Sequence, residues 1–152
     1  MGQFNFWLRH HVKKNVLRGF HFNSKFPQAK FVTVLKGKIL DYVIDLRKKS
    51  KTFGKSFSII LSDSNCKSLY IPKGFAHAYY SFSKLNIIYY KLSNYYHPKY
   101  EDGILWNDKI VKNNCECTIV PLDVTENLAL ENLANSVSQK NNKIVILHTS
   151  LW

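Results

Sequence analysis

The stretch that decides the fold is residues 16–22, which read Val-Leu-Arg-Gly-Phe-His-Phe. Apolar and aromatic residues recur through it, and this composition is typical of a β-strand that packs one face against a core. We expect the strand to carry His21 toward that interior. The ordinary pKa of histidine lets it take or give a proton near neutral pH. Taken alone, a histidine on an apolar strand is more often structural than catalytic, so the rest of the chain has to decide its role.

The length indicates a single domain over residues 1–152. A chain of this size can bury about two thirds of its unfolded surface, so it can build a core without disulfides. The three cysteines, Cys66, Cys115 and Cys117, are an odd number, and no basic-then-apolar leader precedes them. Both features predict a cytoplasmic protein. No apolar run approaches the roughly 20 residues of a membrane span, so we expect no membrane partner.

The net charge of +12 predicts attraction to anions. Nucleic acid, an anionic membrane surface and a small molecule with a diphosphate all fit this charge. No nucleic-acid-binding motif accompanies it, which disfavours a nucleic-acid partner. Cys115 and Cys117 are one residue apart and no second pair exists, so the spacing of a zinc site is absent from the sequence.

Short runs of strand composition alternate with turns rich in Gly, Pro, Asn and Ser, which favours an all-β sandwich or barrel. The predicted strands cover residues 29–35, 38–46, 56–61, 69–71, 76–82 and 86–92. We expect a hairpin over residues 29–46 with its turn at Gly37, and a second strand pair over residues 76–92. Residues 1–15 show no clean period and are predicted to form an edge strand or arm.

The tail carries the one helical signal. Leucines recur at helical spacing after Thr125, a residue type that favours the N-cap, which predicts a short amphipathic helix over residues 125–134. Residues 143–147 are expected to add one more strand.

Side-chain alternation groups the residues that could carry chemistry. Lys30 shares a face with Val32 and Val34, His77 with Tyr79, and Tyr90 with Ile88. Arg18 and His21 are three residues apart, so a regular strand would point them to opposite faces. A bulge at Gly19 would re-aim one of them; otherwise only one lines the pocket.

These side chains suffice for a cofactor-free epimerase if a barrel mouth brings them together. A neutral histidine such as His21 can abstract a proton beside a ketone, and Lys30 or His77 can hold the enolate oxygen. Tyr90 can return the proton on the other face, which inverts the carbon. Lysine and tyrosine are ordinary strand residues, so composition alone does not select this chemistry.

Six motifs follow one another in a single order. They are Leu-Arg-Gly-Phe-His-Phe (17–22), Gln-Ala-Lys (28–30), Asp-Tyr-Val-Ile-Asp-Leu-Arg (41–47), Thr-Phe-Gly-Lys (52–55), Tyr-Ile-Pro-Lys-Gly-Phe-Ala-His (70–77) and Gly-Ile-Leu-Trp-Asn-Asp (103–108). In sequence and order they resemble the dTDP-4-dehydrorhamnose 3,5-epimerase family. The resemblance covers residues 16–108, whereas residues 115–152 resemble the family poorly.

The resemblance implies a jelly-roll barrel of the cupin type, a homodimer, and action on a nucleotide-linked 4-keto-6-deoxy sugar for surface polysaccharide. It implies no metal and no redox cofactor. By the same resemblance, His21 is the catalytic base, Lys30 stabilises the enolate and Tyr90 is the acid. The substrate-binding positions that it implies are Arg18, Gln28, His77 and Glu101. The residues themselves also disfavour a cupin metal site, because His21 and His77 stand alone in their motifs and the adjacent pair at 10–11 projects to opposite faces.

Two departures from the family lead to an alternative reading. The chain begins after the family's N-terminal strands, and Leu128 stands where the family has an aspartate that orients the catalytic histidine. Asp123, Glu126 and Asn127 are the nearby candidates to replace that aspartate, and spacing alone does not select one of them. The alternative is a truncated or non-catalytic member that binds a sugar nucleotide or serves as a partner subunit.

Overall fold

In the computed structural model of the protein, the residues described are 4, 6–104, 117–121 and 143–147. These residues form eleven strands and one 3-10 turn. The elements are β1 (Phe6–Lys13), β2 (Leu17–Asn23), β3 (Lys30–Lys36), β4 (Lys38–Asp45), β5 (Ser56–Ser62), β6 (Ser68–Ile71), β7 (Phe75–Ser81), β8 (Leu85–Leu92), the turn (Pro98–Tyr100), β9 (Glu101–Gly103), β10 (Cys117–Pro121) and β11 (Lys143–Leu147).

The first eight strands pair as one long hairpin folded over on itself. The first strand pairs with the eighth, the second with the seventh, the third with the sixth and the fourth with the fifth, all antiparallel. The result is a four-stranded sheet in the order β1-β8-β3-β6 and a five-stranded sheet in the order β5-β4-β7-β2-β9. This pairing is that of a jelly roll, so the expected all-β cupin-type architecture is confirmed.

Both hairpins predicted from composition are wrong. Residues 29–46 contain β3 and β4, and β3 pairs with β6 and β8 whereas β4 pairs with β5 and β7. Residues 76–92 contain β7 and β8, which likewise lie in different sheets. A turn signal marks where a strand ends, but partners that lie far along the chain decide which sheet the next strand joins.

Gly37 forms the corner at which the chain passes from one sheet to the other. Its φ is +87°, and its N–H donates to Asp63 Oδ2 over 3.0 Å. The next N–H, that of Lys38, donates to the side-chain oxygen of buried Asn86 over 3.0 Å. A Cβ at residue 37 would lie 2.5 Å from the carbonyl oxygen of Leu85, so the corner requires glycine.

The main core lies between the two sheets and is built by alternation along each strand. It contains Val12, Val32, Val34, Ile39, Val43, Leu61, Ile71, Tyr79, Ile88, Tyr90 and Leu92. A second buried cluster lies on the opposite face of the five-stranded sheet and contains Phe20, Tyr42, Ile44, Ala76 and Ala78. The five-stranded sheet is therefore apolar on both faces.

The structure confirms part of what the sequence predicts for the two ends of the chain. Residues 6–13 form an edge strand, as predicted, and residues 143–147 form a strand that pairs in parallel with β10. The helix predicted over residues 125–134 lies outside the described residues. Within the described part of the chain, no helix is long and apolar enough to cross a membrane.

A buried carboxylate organises the connection between β4 and β5. Asp45 is 1% exposed and accepts hydrogen bonds from Nε and Nη2 of Arg47 at 2.8 and 2.7 Å. The hydroxyls of Ser50 and Thr52 donate to it over 2.7 and 2.6 Å. The hydrogen bond from Arg47 is the main reason why the pKa of Asp45 lies well below its ordinary value.

Replacing Asp45 with asparagine is expected to lower the melting temperature at pH 7 by about 5 °C or more, because donors aimed at a carboxylate lose their charged acceptor. The lowered pKa means that the carboxylate stabilises the fold above the unfolded value of about 3.9 and that this contribution is lost as the pH falls. The melting temperatures of wild type and variant should therefore begin to converge only as the pH falls below about 4. Asp102→Asn, at an exposed strand position, is the control; equal effects of the two changes would contradict the role of Asp45.

Candidate active site

A cleft of about 220 Å³ opens between the two sheets. Its lining residues are Leu8, His10, Arg18, His21, Gln28, Lys30, His77, Tyr79, Tyr90, Leu92, Tyr96 and Glu101. All seven site residues predicted from the sequence are among them. The cleft brings together titratable side chains from both sheets.

A bulge at Gly19 places two of these residues in the same cleft. The pairing of β2 with β7 is regular at Arg18 and again at His21, and the register shifts between them. The φ of Gly19 is +126°, and a Cβ there would lie 2.5 Å from the Cα and Cβ of Ala78. The conditional expectation of a bulge is confirmed, because both Arg18 and His21 line the cleft.

The environment of His21 favours its neutral form. Burial is the largest effect and lowers its pKa, and the positive charges of Arg18 and Lys30 act in the same direction. Glu101 opposes them, since its Oε1 lies 3.7 Å from Nδ1 of His21. A histidine with a lowered pKa is a free base at neutral pH.

Glu101 also bears on the question of an orienting carboxylate. The segment with Leu128 lies outside the described residues. The carboxylate that faces the imidazole in the described residues is Glu101, and it is held by a hydrogen bond from the hydroxyl of Tyr96. The resemblance to the family implies a substrate-binding role for Glu101 and does not pair it with His21.

Lys30 lies on the four-stranded sheet, across the cleft from His21. Its burial is the main cause of a lowered pKa, and the nearby carboxylates of Glu101 and Asp41 raise it again. The result is a desolvated ammonium, which is suited to hold an oxygen that gains negative charge.

Tyr90 is 5% exposed and lies on the same sheet as Lys30. Its ring contacts His77, with centroids 6.1 Å apart, and His10, with centroids 5.2 Å apart. Burial is the first cause of a pKa far above the ordinary value of tyrosine. The phenol therefore keeps its proton at neutral pH and can act as an acid.

His77 is fixed by a residue to which the sequence had given no role. Its Nε2 lies 2.8 Å from Oδ1 of Asp41, which is completely buried. Oδ2 of Asp41 has no hydrogen-bond partner among the described residues. The signal was present in the sequence as an acidic residue within the apolar β4, but the pairing of β4 with β7 was needed to name its partner.

Sequence reasoning also missed the remaining lining residues, Leu8, His10, Tyr79, Leu92 and Tyr96. Gln28 was predicted, and its amide donates to the carbonyl oxygens of Asn94 and Tyr95 over 3.4 and 2.6 Å. No group of three or more His, Cys, Asp or Glu side chains in the described ranges is placed to hold a metal ion.

The model of one protein family matches residues 5–147 of the chain, and its description is dTDP-4-dehydrorhamnose 3,5-epimerase. The chain belongs to this family. The match covers the strands that form the cleft, so the resemblance carried by the six motifs is confirmed.

Curated members of the dTDP-4-dehydrorhamnose 3,5-epimerase family also match the chain in sequence. The protein of Methanothermobacter thermautotrophicus is 45% identical over 95 residues, which are 62% of this chain and 51% of that protein. The Escherichia coli K12 protein is 44% identical over 97 residues, with 63% of this chain and 52% of that protein covered. The chain thus spans about half the length of the curated relatives that it matches.

Solved structures of the family share the fold. An epimerase from Legionella pneumophila in complex with dTDP-4-keto-L-rhamnose is 39% identical with a TM-score of 0.69, and the match covers 72% of this chain and 58% of that one. A Bacillus anthracis family member with TDP and PPi bound is 36% identical with a TM-score of 0.69, over 72% and 64% of the two chains.

Substituting Gly19 with alanine tests whether the bulge requires glycine. The added Cβ must push β2 away from β7, and the positive φ adds strain, so we expect a loss of roughly 2–4 kcal/mol in the free energy of unfolding. Urea denaturation measures the effect. Gly103→Ala, where the nearest contact is 3.2 Å and φ is ordinary, is the matched control; a Gly19 variant as stable as this control would contradict the proposed constraint.

Proposed function

We propose that the protein epimerises a nucleotide-activated 4-keto-6-deoxy sugar at C3, C5 or both, without a metal or redox cofactor, in the synthesis of a surface polysaccharide sugar. The observation that carries this proposal is the arrangement of His21 and Tyr90. They face one cleft from opposite sheets, and Lys30, on the same sheet as Tyr90, lines the same cleft.

Proton abstraction falls to His21. C3 and C5 both adjoin the C4 ketone, so loss of a proton from either gives an enolate in which the oxygen shares the charge. A neutral imidazole of lowered pKa is available as the base at pH 7. Glu101 raises the basicity of His21 and stabilises the imidazolium that forms.

Lys30 and His77 stabilise the enolate oxygen. The ammonium of Lys30 supplies positive charge in a site with little water, where such an interaction is strong. The imidazole of His77 is held by Asp41 through Nε2, which leaves Nδ1 free of that contact. Orientation by a buried carboxylate fixes the ring before the reaction starts.

Tyr90 returns a proton from the face opposite His21. Because its phenol is buried and fully protonated, it delivers a proton to carbon rather than removing one. Base on one face and acid on the other inverts the configuration of the carbon.

The positive charge of the chain supports a nucleotide-diphosphate substrate. Arg18 lines the cleft, and the chain as a whole carries a net charge of +12. Family members of known structure hold TDP with PPi or dTDP-4-keto-L-rhamnose. We assign the substrate-binding role to Arg18, Gln28 and Glu101.

We further propose a cytoplasmic homodimer. Apolar side chains are exposed on the outer face of the four-stranded sheet, among them Trp7 at 67%, with Leu35, Tyr70 and Leu85. A second copy of the chain would cover this surface. The odd number of cysteines supports the cytoplasmic location, because thiols stay reduced there.

Incubation with a dTDP-4-keto-6-deoxy sugar in deuterated water is the direct test. We expect deuterium at C3 or C5, detected by NMR, and a rate lower by roughly 10²–10⁴ in His21→Asn. His11→Asn, on the exposed face of β1, is the control and should exchange as wild type does. Binding of the sugar nucleotide without exchange would favour the alternative, a non-catalytic member of the family.

The pH dependence tests the pairing of His21 with Glu101. Because the pKa of His21 is lowered, kcat/KM should rise with pH through a limb centred below pH 6.5. Glu101 raises that pKa, so Glu101→Gln should move the limb to still lower pH and reduce the plateau rate. Asp102→Asn should leave the limb in place. A limb that stays at the same pH in Glu101→Gln would contradict the pairing of His21 with Glu101.

A further inference from the structure

His10 lines the cleft but has no part in the mechanism above. It lies on β1, an edge strand of the four-stranded sheet, and its Cα partner there is Ile88 of β8. Alternation along β1 leaves Arg9 and His11 exposed, whereas His10 is partly buried. The imidazole of His10 therefore points toward the cleft and the sheet on its other side.

The imidazole of His10 is hydrogen-bonded to an arginine of the opposite sheet. Nη1 of Arg18, on β2, lies 3.1 Å from Nδ1 of His10. A guanidinium has five N–H donors and no acceptor, so the nitrogen of His10 must be the acceptor. The ring is therefore neutral, with its proton on Nε2. Burial and, after it, the charge of Arg18 lower the pKa of His10, which agrees with a neutral ring.

The ring of Tyr90 limits where this imidazole can lie. The two ring centroids are 5.2 Å apart and the ring planes are inclined at 56°. Leu8 is the Cα partner of Tyr90, so His10 and Tyr90 are diagonal neighbours on one face of the sheet. Tyr90 is itself buried. A ring that already packs on a buried neighbour loses little further freedom when it accepts a hydrogen bond.

Arg18, in contrast, is exposed. Its side chain lines the cleft and also a second opening that is lined by residues 9–13 of β1. A long, exposed side chain samples many rotamers and loses that freedom when it binds a ligand. The neighbour that holds the guanidinium therefore decides whether it is already in place when the substrate arrives.

The acceptor that holds Arg18 carries no charge. Within the described residues no salt bridge includes Arg18, whereas Arg47 is paired with the carboxylate of Asp45 at 2.7 Å. A carboxylate beside Arg18 would fix the guanidinium but would also offset the charge that attracts a phosphate. A neutral imidazole takes one of the five N–H groups and leaves both the positive charge and the other donors for phosphate oxygens.

We propose that His10 is a positioning residue that holds the guanidinium of Arg18 in the cleft, through the hydrogen bond at Nδ1, for binding a phosphate group of the nucleotide sugar. This inference rests on the proposed epimerase function. It concerns binding of the substrate and not the proton transfers at His21 and Tyr90.

His10→Phe keeps a ring against Tyr90 and removes the acceptor. We expect the Kd for dTDP, measured by calorimetry, to rise about fivefold or more, because Arg18 is then no longer held in the cleft. KM for the dTDP-4-keto-6-deoxy sugar should rise by a similar factor, whereas kcat for deuterium exchange should change by less than about twofold.

His10→Asn tests whether the acceptor atom is what matters. Oδ1 of asparagine is bonded to Cγ, as Nδ1 of histidine is, so it can accept the same hydrogen bond from Arg18. We expect its Kd for dTDP to lie within about twofold of the wild-type value. In an Arg18→Met background, which lacks the donor, His10→Phe should cause no further loss of affinity.

His11→Phe is the matched control. It makes the same change at the next residue of β1, where the side chain is exposed and does not line the cleft, and its Kd for dTDP should equal that of wild type. A His10→Phe variant that binds dTDP as wild type does overturns the proposal. So does a His10→Asn variant as impaired as His10→Phe, because the ring and not the acceptor would then matter.

A second measurement needs no ligand. In wild-type protein labelled with ¹⁵N at histidine, the NMR signals of His10 at pH 7 should show a proton on Nε2 and none on Nδ1, with His10→Asn providing the assignment. A protonated Nδ1 overturns the role of His10 alone, because it cannot accept from Arg18. A wild type that neither binds dTDP nor exchanges the keto sugar overturns the proposed function instead, so the two failures are distinguishable.

Discussion

The close approach of β2 to β7 at Gly19 is the constraint on which the rest of the site depends. The two strands come so near that a Cβ would lie 2.5 Å from Ala78, and the register shifts at this point. Arg18 and His21 are three residues apart and would face opposite sides of a regular strand. The register shift points both side chains into the cleft. The absence of a Cβ at residue 19 therefore allows the cationic Arg18 and the imidazole of His21 to share one site.

Burial then acts in the same way on several titratable side chains of the cleft, since it penalises whichever form is charged. It lowers the pKa of His21 and Lys30 and raises that of Tyr90. Abstraction of a proton requires a deprotonated base, and return of a proton requires a protonated acid. Glu101 and Arg18 adjust this common effect locally, because each lies close to one partner in particular.

The jelly-roll pairing explains how residues distant in sequence meet. β9 adds to the edge of β2, which brings Glu101 to His21, and β4 lies beside β7, which brings Asp41 to His77. Neither pair shares a motif. Both depend on strands that join from separate parts of the chain, and the same pairing places β1 over the cleft with His10 on its inner face.

The sequence by itself determined the strand composition, the all-β class and the family, because these follow from local residue patterns and from six motifs in order. It also identified seven of the twelve residues that line the cleft. Only the tertiary structure decided which strands pair, and it replaced both predicted hairpins with crossings between sheets. It alone revealed the carboxylate partners Asp41 and Glu101. The physical reason is that hydrogen bonding between distant strands sets these neighbours, and local composition carries no information about register across a sheet.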